Sequence, residues 1–127
     1  MDWGQLLELA PIMDKSLEFR PVIILGAARS GTNVLRDTLC RLPGYKTWNC
    51  DELPSTWRHD NLDHPDDEFP MEFARPAVSR YIRRVFTRFA KRTNAPNVVE
   101  KTCANTLRVP FLNAVFPEAV FIHLVRD

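Results

Sequence analysis

The chain has 127 residues, a length that fits one domain and leaves room for a hydrophobic core. Its 17 lysine and arginine residues against 16 acidic residues give a formal net charge of +1, which argues against general attraction to nucleic acid or to a membrane surface. The longest apolar runs are strand-length, far short of the ~20 residues that cross a bilayer.

The N-terminus and the cysteines suggest a compartment. The opening residues have neither the basic region nor the long apolar core of a secretory signal, so we expect a cytoplasmic protein with no membrane anchor in this chain. Cys40, Cys50 and Cys103 form no C-x-x-C pair. This predicts three reduced cysteines that are buried as small apolar side chains, rather than a disulfide framework or a zinc site.

The first half of the chain predicts a strand, a turn and a helix. Residues 5–19 are weakly amphipathic, and residues 1–20 are taken as an N-terminal extension. The unbroken β-branched run at residues 21–25 predicts a buried strand. Residues 32–42 have apolar side chains at helical spacing, and residues 45–48 predict a short second strand.

The second half opens with a long polar stretch. Residues 51–70 are acidic, rich in Asp, His, Pro and Asn, and lack periodicity, which predicts a long loop on the substrate side. Residues 72–92 predict a helix with one apolar and one basic face. Residues 97–100, 107–116 and 119–125 then predict a strand, a helix and a strand. The basic face is expected to be solvated, and its residues are Arg75, Arg80, Arg83, Arg84, Arg88, Lys91 and Arg92.

This order of elements predicts an α/β fold. Alternating strands and helices indicate a parallel sheet between flanking helices, in three layers. The chain stops at the end of a strand with no covering element after it, so we expect a domain that is truncated at its C-terminus.

The stretch GAARSGTN, residues 26–33, joins the first strand to the first helix. Such a turn presents backbone N–H groups and the positive end of a helix to an anion. In the loop G-x-x-x-x-G-K-[ST], the lysine reaches the terminal phosphates and the hydroxyl holds Mg²⁺. Thr32 and Asn33 stand in those positions here, which argues against a nucleoside triphosphate with metal; the cation of this loop is Arg29. A tight turn with an exposed arginine is the alternative.

Lys101 ends a strand that is predicted to be central. Ligands of open α/β sheets bind at the carboxyl ends of the strands, so this side chain would point toward the same crevice as the glycine loop. A lysine there can stabilise a developing oxyanion. By itself, however, Lys101 would be better interpreted as an exposed lysine at a strand end.

Two segments carry a resemblance to a known family. PVIILGAARSGTNVLRDTL resembles a loop of the form P-R-S-G-T-[TS]-x-[LF], with Ala28 in place of proline and Asn33 in place of Thr or Ser. VVEKTCANTLRVPFLNAVFPEAVFIHLVRD resembles a strand ending in E-K-[TS], a helix closing in F-P-x-A and a strand ending in R-D. These are motifs of the sulfotransferases that use 3′-phosphoadenosine 5′-phosphosulfate, so the chain resembles the N-terminal portion of that P-loop-like, nucleotide-binding fold.

The resemblance implies roles for particular residues. Lys101 would contact the sulfuryl group or its bridging oxygen, with Arg29 beside the leaving phosphate, and Arg126 would bind the 3′-phosphate. The residues implied in donor binding are Ala28, Arg29, Ser30, Gly31, Thr32, Asn33 and Arg126. No metal is expected.

A further segment, NCDELPSTW, resembles the G-E-E-like segment that carries the catalytic base in one branch of the family, including the tyrosylprotein sulfotransferases. On this match Glu52 would be the base that takes the proton of the acceptor, with Asp51 as its neighbour or substitute. An exposed acid in a polar loop is the alternative. Glu100 is expected to face the interior and to pair with a nearby cation.

Histidines complete the set of candidates. His59 and His64, with the acids Asp63, Asp66 and Asp67, have irregular spacing that favours a solvated or substrate-facing loop over a metal site. His123 lies in an apolar strand and is expected to be a core histidine.

The sequence thus favours sulfuryl transfer to an acceptor hydroxyl or amine of a carbohydrate, a peptide or a small molecule, with no nucleic-acid partner. One alternative is a P-loop nucleotide or small-molecule kinase, which would need ATP and Mg²⁺. Another is a non-catalytic phosphate- or nucleic-acid-binding module that uses the basic helix. The identity of the acceptor and the oligomeric state stay open.

Overall fold

A computed structural model describes residues 17–126, which form an α/β fold around a four-stranded sheet. The strands are β1 (Arg20–Leu25), β2 (Tyr45–Lys46), β3 (Asn97–Lys101) and β4 (Val120–His123). All neighbouring strands are parallel, in the order β2-β3-β1-β4. This confirms the predicted α/β fold with a parallel sheet.

Helices and short 3-10 turns connect the strands. The helices are α1 (Thr32–Leu39), α2 (Pro54–Trp57), α3 (Pro76–Thr93) and α4 (Val109–Val115), and the 3-10 turns are Met71–Phe73 and Cys103–Leu107. Each of α2, α3 and α4 has a proline at its first or second position, where the missing N–H is no loss. Of the predicted N-terminal segment, residues 5–16 lie outside the described residues.

The sheet is covered on both faces. Successive strand residues point to opposite sides, and Ile23 of β1 joins the larger core cluster, to which α2, α3 and α4 contribute. Val22 and Ile24 belong to a smaller cluster, against which Leu35 and Leu39 of α1 pack. The predicted three-layer arrangement is confirmed.

Several helices and strands are shorter than predicted. The first helix ends at Leu39 instead of residue 42, and the second strand spans Tyr45–Lys46 instead of residues 45–48. The long helix begins at Pro76 because the preceding residues form the 3-10 turn Met71–Phe73. The last strand ends at His123, two residues before its predicted end.

The prediction of a loop over residues 51–70 is wrong in part, because this segment contains α2 and two core anchors. Trp57 is 0% exposed and Phe69 is 1% exposed. Arg58 holds the segment between these two residues in place. Its guanidinium donates hydrogen bonds to the carbonyls of His64 at 3.0 Å and Asp66 at 2.7 Å. Two aromatic anchors twelve positions apart leave no periodic signal in the sequence.

The prediction of a wholly solvated basic face on α3 is wrong for Arg83, which is 7% exposed. Its Nη2 lies 2.7 Å from Glu118 Oε2, and its Nη1 donates to the carbonyl of Val115 at 2.9 Å. The other six basic residues of this face are exposed. Arg83 therefore ties α3 to the C-terminal end of α4.

Two smaller predictions also fail. His123 was predicted to be a core histidine, but it is exposed because β4 is an edge strand that pairs with β1 on one side. The three cysteines are free, as predicted, but Cys50 is exposed and the other two are partly buried. Within residues 17–126, no helix has the length and apolar character needed to cross a membrane.

The buried ion pair leads to a stability prediction. We expect Arg83→Ala to lower the free energy of unfolding by about 3 kcal/mol, because Glu118 and the Val115 carbonyl lose their donor. Arg84→Ala removes an exposed arginine from the next position of α3 and is expected to change stability by less than about 0.5 kcal/mol. Urea unfolding of the two variants measures the difference, and equal losses would show that Arg83 contributes no more than a surface charge.

Candidate active site

The carboxyl edge of the sheet brings two segments together. β1 and β3 are neighbours, with Ile24 paired to Lys101, so the chain leaves both strands at the same edge. The backbone N–H of Gly26, the first residue after β1, donates to Thr106 Oγ1 at 2.9 Å. The glycine loop is therefore attached to the 3-10 turn that follows β3.

The glycine loop, residues 26–31, needs its two glycines for different reasons, because Gly26 is crowded and Gly31 has a positive φ. A Cβ at Gly26 would stand 2.7 Å from Thr32 Cγ2 and 2.9 Å from Ser30 Oγ. Gly31 has φ of 95°, in the left-handed region that disfavours other residues, and directly precedes α1. Arg29 also lies in this region, with φ of 63°. The loop thus turns sharply into the N-terminus of α1.

The residues predicted to bind the donor differ in how freely they can donate hydrogen bonds. The N–H and the hydroxyl of Ser30 both donate to the carbonyl of Ala27, at 3.2 and 2.6 Å. Thr32 and Asn33 open α1, and N–H groups in the first turn of a helix have no intrahelical acceptor. Donors for an anion therefore come first from the helix end, while Ser30 serves the loop itself.

Arg126 reaches the glycine loop from the segment after β4. Its Nη1 donates to the carbonyl of Arg29 at 3.1 Å, and both residues are exposed. The structure therefore brings together two arginines that lie 97 positions apart in the chain.

Lys101 is buried, with a residue exposure of 4%. Its Nζ lies 3.6 Å from Asp51 Oδ1 and 3.9 Å from Glu52 Oε2. The alternative interpretation, an exposed lysine at a strand end, is therefore wrong. The structure also joins the end of β3 to the segment that carries the candidate base.

The two acids beside Lys101 have different surroundings. Arg36 of α1 donates from Nη1 to the carbonyl and to Oδ1 of Asp51, at 2.8 and 3.2 Å. This hydrogen bond, together with the charge of Lys101, holds the pKa of Asp51 below its ordinary value. Glu52 instead accepts a hydrogen bond at Oε2 from the backbone N–H of Cys103, at 2.6 Å.

Glu100 precedes Lys101 in β3 and is 2% exposed. Its Oε1 accepts hydrogen bonds from Trp57 Nε1 at 3.0 Å and from the hydroxyl of Thr102. Glu100 faces the interior as predicted, but both donors are neutral, so the expected pairing with a cation is wrong. Burial raises the pKa of Glu100 to about 7, and the negative charge of Glu52 acts in the same direction.

Comparison with known families shows which family the chain belongs to. A family model described as "Sulfotransferase family" matches residues 21–127. The chain belongs to the sulfotransferase family. The match confirms the resemblance inferred from the motifs and identifies the chain as a transferase of sulfuryl groups in the general sense. Neither curated proteins nor solved structures provide a match.

The fold agrees with that membership. A parallel sheet with helices on both faces is consistent with a P-loop-like sulfotransferase. The family match begins at the second residue of β1 and spans the other three strands, the glycine loop and the acidic segment. All candidate site residues of this sulfotransferase chain therefore lie within the matched region.

Sequence reasoning missed four residues that hold the site together. Arg36 and Thr106 connect the glycine-loop region to its neighbours, and Trp57 and Thr102 bind Glu100. Thr102 carried a signal, because it is the last residue of the E-K-[TS] motif. For the other three, partners lie 15 to 80 positions away, and no local pattern points to them.

Two of the three histidines, His59 and His64, have partners within the protein. The ring of His59 stacks on Tyr81 with centroids 3.6 Å apart, and His64 Nε2 lies 3.0 Å from Asp66 Oδ1. Among residues 17–126, no group of three or more His, Cys, Asp or Glu side chains could hold a metal ion.

The environment of Glu100 predicts how stability depends on pH. Between its ordinary pKa of 4.5 and its folded value of about 7, Glu100 is ionised in the unfolded chain and protonated in the folded one. Its contribution to the free energy of unfolding therefore falls as pH rises through this window, by about 3 kcal/mol in total. We expect Glu100→Gln, which does not titrate, to remove this fall.

Urea unfolding of the wild type and of Glu100→Gln at several pH values from 4 to 8 measures the difference between their slopes. Glu72→Gln, at an exposed position, is the control that should retain the wild-type slope. An unchanged slope in Glu100→Gln would contradict the assigned pKa shift.

Proposed function

We propose that this chain transfers a sulfuryl group from 3′-phosphoadenosine 5′-phosphosulfate to a hydroxyl or amine of an acceptor. The observation that carries the proposal is the meeting of three features at one sheet edge: a glycine loop at a helix N-terminus, the buried Lys101, and the acid Glu52. Family membership supports sulfuryl transfer in general, and the donor and the kind of acceptor are our proposal.

The glycine loop fits a phosphate-bearing donor. Gly26 lets the loop close tightly, since a Cβ there would stand 2.7 Å from Thr32 Cγ2, and the first turn of α1 offers N–H groups and the positive end of its dipole. Residues 28–33 would hold the 5′-phosphate, and Arg126 the 3′-phosphate. The donor supplies the sulfuryl group and a bisphosphate leaving group. No metal is invoked, because Thr32 and Asn33 replace the lysine and the magnesium-binding hydroxyl of nucleotide hydrolases.

In the proposed reaction, the acceptor oxygen or nitrogen forms a bond to sulfur as the bond from sulfur to the bridging oxygen breaks. The acceptor's proton passes to Glu52, and the bisphosphate departs. Arg29 and Lys101 would oppose the negative charge that grows on the leaving oxygens. As in phosphoryl transfer, positioning and charge stabilisation would provide most of the rate enhancement.

Glu52 is a better candidate for the base than Asp51. The side chain of Asp51 is 62% exposed and pairs with Arg36 and Lys101. These contacts stabilise its carboxylate and lower its pKa, which makes it a weaker base. The side chain of Glu52 is 30% exposed, so an acceptor can reach it. Its Oε2 is held by the backbone N–H of Cys103 and lies near Lys101.

The surrounding segment and the free thiols support two more proposals. Residues 51–70 would shape the acceptor side of the site, since Glu52 lies at their start. The three free cysteines are typical of a reducing compartment, so we propose a cytoplasmic location.

Donor binding can be tested without knowledge of the acceptor. We expect 3′-phosphoadenosine 5′-phosphate to bind saturably in calorimetric titrations without metal, and Arg29→Ala to weaken binding about tenfold or more through loss of a charge-assisted contact. Arg41→Ala is the matched control, because Arg41 is exposed and lies beyond the end of α1. Binding of ATP only with Mg²⁺ would favour a kinase and would overturn the proposal.

The base can be tested by turnover. With the phosphosulfate donor and a panel of phenol, amine and sugar acceptors, we expect Glu52→Gln to lower kcat by about 100-fold or more, with affinity for the bisphosphate within about twofold of the wild type. Asp51→Asn should have a clearly smaller effect. If the two variants lose activity equally, or if Asp51→Asn loses more, Glu52 is not the base.

A further inference from the structure

A hydrogen-bonded chain connects Glu100 to both ends of the segment 53–57, which directly follows Glu52. At the far end, Trp57 donates from Nε1 to Glu100 Oε1 at 3.0 Å. At the near end, Thr102 donates its hydroxyl proton to the same carboxylate oxygen and accepts the backbone N–H of Leu53 at 3.3 Å. One carboxylate oxygen therefore anchors both ends of the segment.

Lys101, at the end of β3, and Cys103, in the 3-10 turn that follows, also hold the Glu52 side chain. Cys103, next to Thr102, donates its backbone N–H to Glu52 Oε2 at 2.6 Å, and Lys101 Nζ lies 3.9 Å from that oxygen. The backbone beside Glu52 thus depends on Thr102, while its carboxylate depends on the flanking residues. A shift of residues 52–57 along β3 would break both sets of contacts.

Burial makes this arrangement specific. Glu100 is 2% exposed, Thr102 is 3% exposed and Trp57 is 0% exposed, so water cannot easily replace a lost partner. A buried carboxylate raises the free energy of the folded state unless its hydrogen bonds compensate. Glu100 Oε2 is buried and has no hydrogen-bond partner among the described residues. An apolar side chain of similar size would avoid this desolvation cost, so what the carboxylate adds is the directional attachment of the two donors.

We propose that Glu100 is a positioning residue that acts through Trp57 and Thr102 to hold Glu52 at Lys101. This proposal rests on the role of Glu52 proposed above. Glu100 itself does not contact the acceptor or the donor: it determines where the base stands. Its loss should therefore reduce turnover while leaving donor binding intact, and a side chain that keeps the accepting oxygen should restore function.

Two pairs of variants test this proposal. Glu100→Leu removes the acceptor of both hydrogen bonds, whereas Glu100→Gln keeps an oxygen that can accept them. Thr102→Val removes the hydroxyl at nearly constant volume, whereas Thr102→Ser keeps it, and this second pair decides the question if Glu100→Leu does not fold. Thr93→Val is the control, since it removes a comparable threonine hydrogen bond to Phe89 at the end of α3.

Hydrogen exchange gives a readout that does not need activity. In Glu100→Leu and Thr102→Val, we expect the amides of Leu53 and Cys103 to exchange about tenfold faster than in the wild type. The amide of Ile23, in the centre of the sheet, should be unaffected. Glu100→Gln, Thr102→Ser and Thr93→Val should exchange like the wild type at all three positions.

Turnover of the phosphosulfate donor with water as the acceptor gives the second readout. We expect Glu100→Leu and Thr102→Val to lower kcat about tenfold, with KM for the donor within about twofold, and the two conservative variants to recover the rate. Unchanged hydrogen exchange at Leu53 and Cys103 in both Glu100→Leu and Thr102→Val would overturn the proposal. A loss of kcat in Glu100→Gln or Thr102→Ser as large as in its disruptive counterpart would also overturn it.

The two proposals can fail separately. If the wild type neither binds the bisphosphate nor turns over the donor, the proposed function is wrong. The exchange of Leu53 and Cys103 would still decide whether Glu100 holds the segment that carries Glu52.

Discussion

The parallel pairing of β1 with β3 is the constraint on which the rest of the site depends. It places Ile24 beside Lys101, so the glycine loop and the E-K-[TS] segment leave the sheet side by side. The hydrogen bond from Gly26 to Thr106 joins the glycine loop to the 3-10 turn that follows β3. A shift in the register of β1 and β3 would move the N-terminus of α1 away from the buried Lys101, even if the loops kept their conformations.

The charges at this edge are arranged in layers of decreasing exposure. Arg29 and Arg126 are exposed at the glycine loop, whereas Lys101 is buried and lies near both Asp51 and Glu52. Glu100 is also buried, and its raised pKa favours its neutral form up to about pH 7. A third ionised carboxylate, in addition to Asp51 and Glu52, would compete for Lys101. Because its hydrogen-bond donors Trp57 and Thr102 are neutral, Glu100 does not pair with Lys101. The ammonium group of Lys101 is left to Asp51 and Glu52.

The sequence predicted the strands and the family more reliably than the contacts between segments. Apolar runs and the glycine loop are local signals, and they located β1, β3 and the start of α1 within one residue. Trp57 was placed in an unstructured loop because its partner Glu100 lies 43 positions away. Arg83 was assigned to solvent because helical periodicity cannot show that Glu118 folds back onto α3.

By itself, the sequence determined which chemical groups stand at each strand end, because strand propensity, glycine placement and the three motifs are properties of contiguous residues. Only the tertiary structure decided the surroundings of those groups. Burial of Lys101, the contrast between Asp51 and Glu52, and the anchoring of Trp57 on Glu100 all arise from contacts between distant segments. Desolvation and hydrogen-bond partnership depend on which groups meet in space, and a linear pattern of residue types does not record that.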